Sequence, residues 1–160
     1  MTVTGFDAFA GLLDYPVYVV TAAAPEPAGC LVGFAGQCSI DPARFTVWLS
    51  KANHTHAVAL RAHALGVHLL PPDHRLAELF GGRTGDECDK FAGTAWHRGP
   101  EGVPVLDAAP AWFVGGVLDR VDWGDHTGFL LEPLHVRAPG SATPVLSFRD
   151  VADIDAGHPA

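Results

Sequence analysis

The chain has 160 residues, 48% hydrophobic and 18% charged, with a formal net charge of −8. That is enough apolar material for one domain spanning residues 1–160 to build a core without a metal or disulfide staple. The acidic balance excludes nucleic acid as the main partner, because phosphate backbones need clustered Lys and Arg, although a local field can still hold a small anion.

The opening stretch "MTVTGFDAFAGLLDYP" lacks the basic start and apolar run of a signal peptide. No segment reaches the roughly 20 apolar residues needed to cross a membrane. The cysteines Cys30, Cys38 and Cys88 are odd in number and show no CxxC spacing, which reads as a reduced, cytoplasmic protein. Pro16–Ala22, "PVYVVTA", is a β-branched strand with a proline at its mouth. Gly29–Ala35, "GCLVGFA", reads as its partner across the turn-rich "AAPEPAG", and its glycines mark a bulge or a close approach. Phe45–Leu49 alternates Phe45, Val47 and Leu49 against Thr46 and Trp48, the period of a strand with two unlike faces.

Asn53 opens a predicted helix running to Ala64, with Ala57, Leu60 and Ala64 on one face. "GVHLLPP" is a strand closed by prolines. "DHRLAELFGG" is a short helix from the cap candidate Asp73 to Gly81 and Gly82. "TGDECDKF" has Thr84 and Glu87 at capping-box spacing, which suits another. From Ala111 the pattern returns to two long strands meeting near Gly124, with "TPVLSFR" as a last strand. About seven strands with two or three inserted helices lack the alternation of a doubly wound sheet. They predict a mainly β fold with helical insertions, a closed or nearly closed antiparallel barrel.

The stretch "GFAGQCSIDPARFTVWLSKANHT" carries the chemistry. Gly33, Ala35 and Gly36 are small where a strand prefers bulk, so a flat ring can lie against the backbone; close packing at a barrel corner explains them equally well. One strand later, Ser50, Lys51, Asn53 and Thr55 surround a helix N-terminus, where N–H groups and the dipole favour phosphate. A plain helix cap with a solvated Lys51 fits the same residues. Taken together, the shelf and the phosphate pocket describe flavin mononucleotide. Nine histidines raise the question of a metal, but His54 and His56 stand two apart, and no HExxH or Cys/His cluster is present; no metal is expected.

"GCLVGFAGQCSIDPARFTVWLSKANHT", "ELFGGRTGDECDKF", "GVPVLDAAPAWFVGGV" and "GDHTGFLLEPL", in this order between Phe6 and Arg149, resemble the signature stretches of the flavin reductase-like, FMN-binding split-barrel family. The resemblance implies a Greek-key-like split β-barrel, homodimeric, binding FMN or sometimes FAD near the subunit interface. It implies NADH or NADPH as co-substrate, and reduced flavin passed to a partner monooxygenase. It places Ala35, Gly36, Gln37, Cys38 and Ser39 along the isoalloxazine and ribityl chain. Ser50, Lys51, Asn53 and Thr55 fall at the phosphate, Lys90 and Phe91 over the flavin, and His126 at the nicotinamide. Two departures stand out: Ala43 replaces a second proline in "SIDPAR", and Phe148 and Arg149 match the family's aromatic-plus-arginine ending only loosely. The rival expectation is a flavin carrier or sensor that does not turn over nicotinamide, with a deazaflavin or haem ligand as a third choice.

Overall fold

A computed structural model describes residues 5–82 and 89–154. After a short helix α1 (Phe6–Ala10), the strands are β1 (Tyr18–Ala23), β2 (Pro27–Val32), β3 (Ala35–Ser39), β4 (Arg44–Ser50) and β5 (Ala64–Leu69), with α2 (His54–Arg61) between β4 and β5. Then come α3 (Arg75–Gly81), a small hairpin of β6 (Trp96–Arg98) and β7 (Pro104–Leu106), and the long strands β8 (Ala111–Asp122) and β9 (His126–Arg137). Seven strands form one sheet in the order β2-β1-β5-β8-β9-β4-β3, and all its pairings are antiparallel.

The two edges of this sheet are β2 and β3, and only Gly33 and Phe34 lie between them in sequence. Three residue steps reach at most about 10 Å, so the sheet must curl until its edges face one another. The Phe34 carbonyl fastens the crossing by accepting from the Trp48 N–H at 2.8 Å. The result is a barrel split along one seam.

Alternation sorts the side chains. Val20, Ala22, Cys30, Val47, Leu49, Leu65, Phe129 and Leu131 fill the barrel. Val19, on the outer face of β1, and Val17 just before the strand join Leu76, Ala77 and Phe80 of α3 in a second core with Phe91, Leu106 and Leu146. His68 is fully buried between β1 and β7: its Nδ1–H donates to the Val19 carbonyl at 3.0 Å, and Nε2 accepts from the Leu106 N–H at 3.2 Å. Both ring nitrogens are thereby used by the neutral form, and burial lowers its pKa to about 4.

Several sequence expectations need correction. The Gly29–Ala35 run is two strands, because the chain changes edge at Gly33 and Phe34. Helix α2 ends at Arg61, and β5 already begins at Ala64. Its buried face is Thr55, Val58 and Ala59, followed by Ala62, while Leu60 is exposed. The buried stripe begins two positions earlier than predicted because Thr55 counts with it, its hydroxyl satisfied by the Cys30 thiol. "TPVLSFR" is no strand. It makes one bridge, Pro16 to Ser147, and is held by Leu146 N–H to the Leu70 carbonyl and Phe148 N–H to the Tyr15 carbonyl, since Pro144 has no N–H to extend a ladder. The Asp73 carboxylate accepts from the Arg75 N–H at 3.2 Å, although His74 is the residue that precedes the helix. Of the predicted helix over 84–91, residues 84–88 lie outside the described residues; Lys90–Gly93 form a 3-10 turn that Asp89 caps. Helix α1 and the β6–β7 hairpin were not foreseen.

Candidate flavin site at the barrel seam

Next to the seam lies a cleft of about 180 Å³. Phe34, on the crossing, stands 5.1 Å centroid to centroid from His126 at the start of β9. The opposite wall is Tyr15 stacked on Phe148 at 4.9 Å. Gly33 sits beneath that pair: a Cβ there would stand 3.2 Å from the Tyr15 ring, so a side chain at this position would press on the wall. Trp48, Ser50 and Asn53 complete the cleft. Tyr15 follows Asp14, and burial followed by the Asp14 charge raises its phenol pKa, so it stays protonated.

The polar end is built by the β4–α2 junction. The Ser50 hydroxyl accepts from the Ala52 N–H at 3.3 Å, and the Asn53 side chain caps α2 by accepting from the Thr55 N–H at 2.9 Å. Asp125 accepts from His126 Nδ1–H at 2.6 Å; that bond, then the His126 charge, holds the Asp125 carboxyl below its usual range. With Nδ1 on Asp125, Nε2 is the ring nitrogen turned to a ligand.

The expected site residues divide into groups. Ser50, Asn53 and His126 line one cleft. Lys51 is turned to the β8–β9 hairpin, with Nζ 3.6 Å from Asp122 Oδ1. Asp122 also accepts from the Thr127 hydroxyl at 2.7 Å, which in turn accepts from His56 Nε2 at 2.8 Å. Thr55 is buried, its hydroxyl on Cys30, and burial pushes that thiol up to about 11 despite Lys90 and Thr55.

Along β3 the residues alternate. Ala35 packs into the barrel and Gln37 reaches a cavity at its mouth. Cys38 lies on the outer face beside Trp48 and Trp123, and Ser39 follows a break in register. A Cβ at Gly36 would meet nothing within 4 Å, so the backbone there is open to a flat group.

Lys90 and Phe91, in the 3-10 turn, lie against β2. The buried Lys90 ammonium donates to the Gly29 carbonyl at 3.1 Å and the Phe80 carbonyl at 2.9 Å. Phe91 packs edge-on to Phe80 and Trp96. Both line a neighbouring cavity with Gly29 and His54. Sequence reasoning missed Tyr15 and Phe34, and it left Phe148 as a loose match. The signal for Phe34 was an aromatic set between glycines; nothing local in the sequence pairs Tyr15 with Phe148. Among the described residues no group of three or more His, Cys, Asp or Glu could hold a metal.

The flavin reductase-like domain model matches residues 10–153. The chain belongs to the flavin reductase-like family. It is 31% identical over 156 residues to the FMN reductase (NADH) RutF of Ancylobacter novellus, covering 92% of this chain and 82% of that one. It is 28% identical over 116 residues to the stachydrine N-demethylase reductase subunit Stc3 of Rhizobium meliloti, 70% of this chain but only 50% of the relative. The chain thus spans about half the length of that curated relative. The solved NADH:FAD oxidoreductase SgcE6 of Streptomyces globisporus has the same fold, with a TM-score of 0.82 at 23% identity over 92% of each chain.

An aromatic-walled cleft with hydroxyl, amide and imidazole groups at one end, beside an open backbone at Gly36, fits a flavin. Flat apolar surface with a few polar groups at one end is the usual make-up of a small-molecule site.

Proposed function

We propose that this protein is a single-domain NAD(P)H-dependent flavin reductase that binds FMN, or FAD, along the barrel seam and supplies reduced flavin to a separate monooxygenase. The observation that carries the reading is the cleft itself, where Phe34 and the Tyr15–Phe148 pair face Ser50, Asn53 and His126. When bound, the flavin accepts hydride from the nicotinamide. The chain's own residues hold and orient. Phe34 and Gly33 set the width of the slot, and the backbone from Ala35 to Ser39 offers an edge for the ring and ribityl chain.

Ser50, Asn53 and the first turn of α2 receive the phosphate, with Lys51 turning from Asp122 to join them. Thr55 contributes through the backbone it anchors, since its hydroxyl is spent on Cys30. His126, steadied by Asp125, orients the nicotinamide through a hydrogen bond between Nε2 and its carboxamide. Lys90 and Phe91 fix the β2 wall from behind.

The reading includes a homodimer through the outer face of β3, β4, β8 and β9. There Trp123 is 77% exposed and lies 6.4 Å from Trp48, beside Val121 and Leu130. Free Cys30 and Cys38 and the cellular NADH and NADPH pools suit a cytoplasmic place.

Adding NADH or NADPH anaerobically to the protein with excess FMN should bleach the visible flavin band catalytically. FMN binding without bleaching by either nucleotide would make the protein a carrier, and absence of FMN binding would overturn the site as well. Light scattering should give twice the chain mass, and Trp123→Glu should give the chain mass. A monomeric wild type that still binds FMN would refute the dimer.

A further inference from the structure

The barrel has a second opening, at the end away from α2, that the flavin reading leaves unused. It leads into a cavity of about 350 Å³, within the range of small-molecule sites. The cavity gathers the ends of strands that are distant in sequence: Tyr18 begins β1, Leu69 ends β5, Phe113 lies near the start of β8, and Phe45 near the start of β4. Tyr18 meets Phe45 edge-on at 5.8 Å, and Phe45 meets Phe113 edge-on at 5.2 Å, so three rings floor the cavity with fixed orientations.

Its rim is cationic although the chain as a whole is acidic. Arg44 and Arg137 both line it. Arg44 donates to the neighbouring Ala43 carbonyl at 2.8 Å through Nη1 and lies 3.9 Å from Glu132, which leaves its other N–H groups for a ligand. The Arg137 side chain forms no hydrogen bond or ion pair among the described residues. The Tyr18 hydroxyl likewise makes no hydrogen bond there.

We propose that this mouth is a ligand site for a small aromatic carboxylate, its ring on the Tyr18–Phe45–Phe113 floor and its carboxylate on Arg44 and Arg137. The chemistry selects that class. Edge-to-face rings favour another ring over a flexible chain, and two guanidinium groups beside an apolar cavity favour a planar anion that can accept paired bonds. A neutral aromatic would leave the arginines unused, and an inorganic anion would leave the floor in contact with water. Of the residues given to the flavin only Gln37 also lines this cavity, and the site does not depend on the flavin reading.

The test uses the full chain, 3-phenylpropionate as probe and 3-phenylpropionamide as its neutral twin, followed by amide NMR shifts. The acid should bind saturably, one per chain, and move the Tyr18, Leu69 and Phe113 resonances. The amide and the Arg44→Gln/Arg137→Gln variant should each bind about tenfold more weakly. That variant should keep the wild-type FMN affinity, which shows that it is folded. Val67→Trp, which places an indole in the cavity, should abolish binding. Equal affinity for acid and amide, or binding lost on saturation with FMN, would overturn the proposal. So would no binding to a protein that light scattering finds dimeric, which would assign the mouth to a second copy.

Discussion

Lys51 and Asp122 together test where the flavin phosphate sits. Their charged atoms are 3.6 Å apart, with side chains 42% and 67% exposed. Water screens so open a pair, so releasing Lys51 from it costs little. A charge-assisted bond to phosphate is worth about 1.5–3 kcal/mol, so Lys51→Ala should weaken FMN binding roughly tenfold to a hundredfold. Riboflavin has the same ring without the phosphate, so its affinity should not change. Asp122 stays ionised at neutral pH, because the Thr127 hydroxyl and then the Lys51 charge hold its carboxyl below the usual range. Asp122→Asn therefore removes a competitor, and FMN should bind a few-fold more tightly, an effect that must vanish in the Lys51→Ala background. Quenching of flavin fluorescence at low and moderate salt measures all four proteins with both ligands. The assignment is refuted if riboflavin weakens as much as FMN in Lys51→Ala. It is refuted equally if Asp122→Asn still tightens FMN binding when Lys51 is gone.

Phe34→Ala removes a wall rather than a charge, so FMN and riboflavin should weaken alike, by about three- to tenfold, for the loss of one aromatic contact; a loss confined to FMN would contradict the ring's placement. His68 gives a pH dependence of stability. Its folded pKa of about 4 lies below the ordinary 6.5, so the unfolded chain takes the proton first. Its contribution is full above pH 6.5 and falls by roughly 3 kcal/mol as the pH drops to about 4. Melting curves across that range should show a shallower slope for His68→Gln, and an unchanged slope would refute the burial argument. Lys90→Met leaves the Gly29 and Phe80 carbonyls without their charged donor and should cost roughly 3 kcal/mol in urea unfolding; a change under about 0.5 kcal/mol would show that water replaces the ammonium.

The barrel was legible because its strands obey period two over long runs, as Phe45, Val47 and Leu49 do, and because no helix alternates with them. The change of edge at Gly33 and Phe34 was not, since a run that pairs on one side of the seam and then the other reads as one strand. The cap at Asn53 was legible from residue type alone. The direction of the Thr55 hydroxyl was not, because it depends on Cys30 from a distant strand. The same limit hid the stacking of Tyr15 on Phe148, which are brought together only when the C-terminal segment lies against the start of β1. Lys90 shows the converse. The family resemblance put it over the flavin, while its ammonium lies on two main-chain carbonyls of the β2 and α3 region.

That position of Lys90 bears on how the chain stays apart from its own copies during and after folding. A sheet with two edges ordinarily offers two rows of main-chain groups to any strand that drifts past. Here both edges turn toward one another at the seam, and the β2 edge carries a buried cation on the Gly29 carbonyl. An incoming strand would have to displace that cation into an apolar wall lined by Phe80 and Phe91. The same seam that holds the aromatic-walled cleft is thereby closed to a backbone, so the barrel can remain split without becoming a template for aggregation.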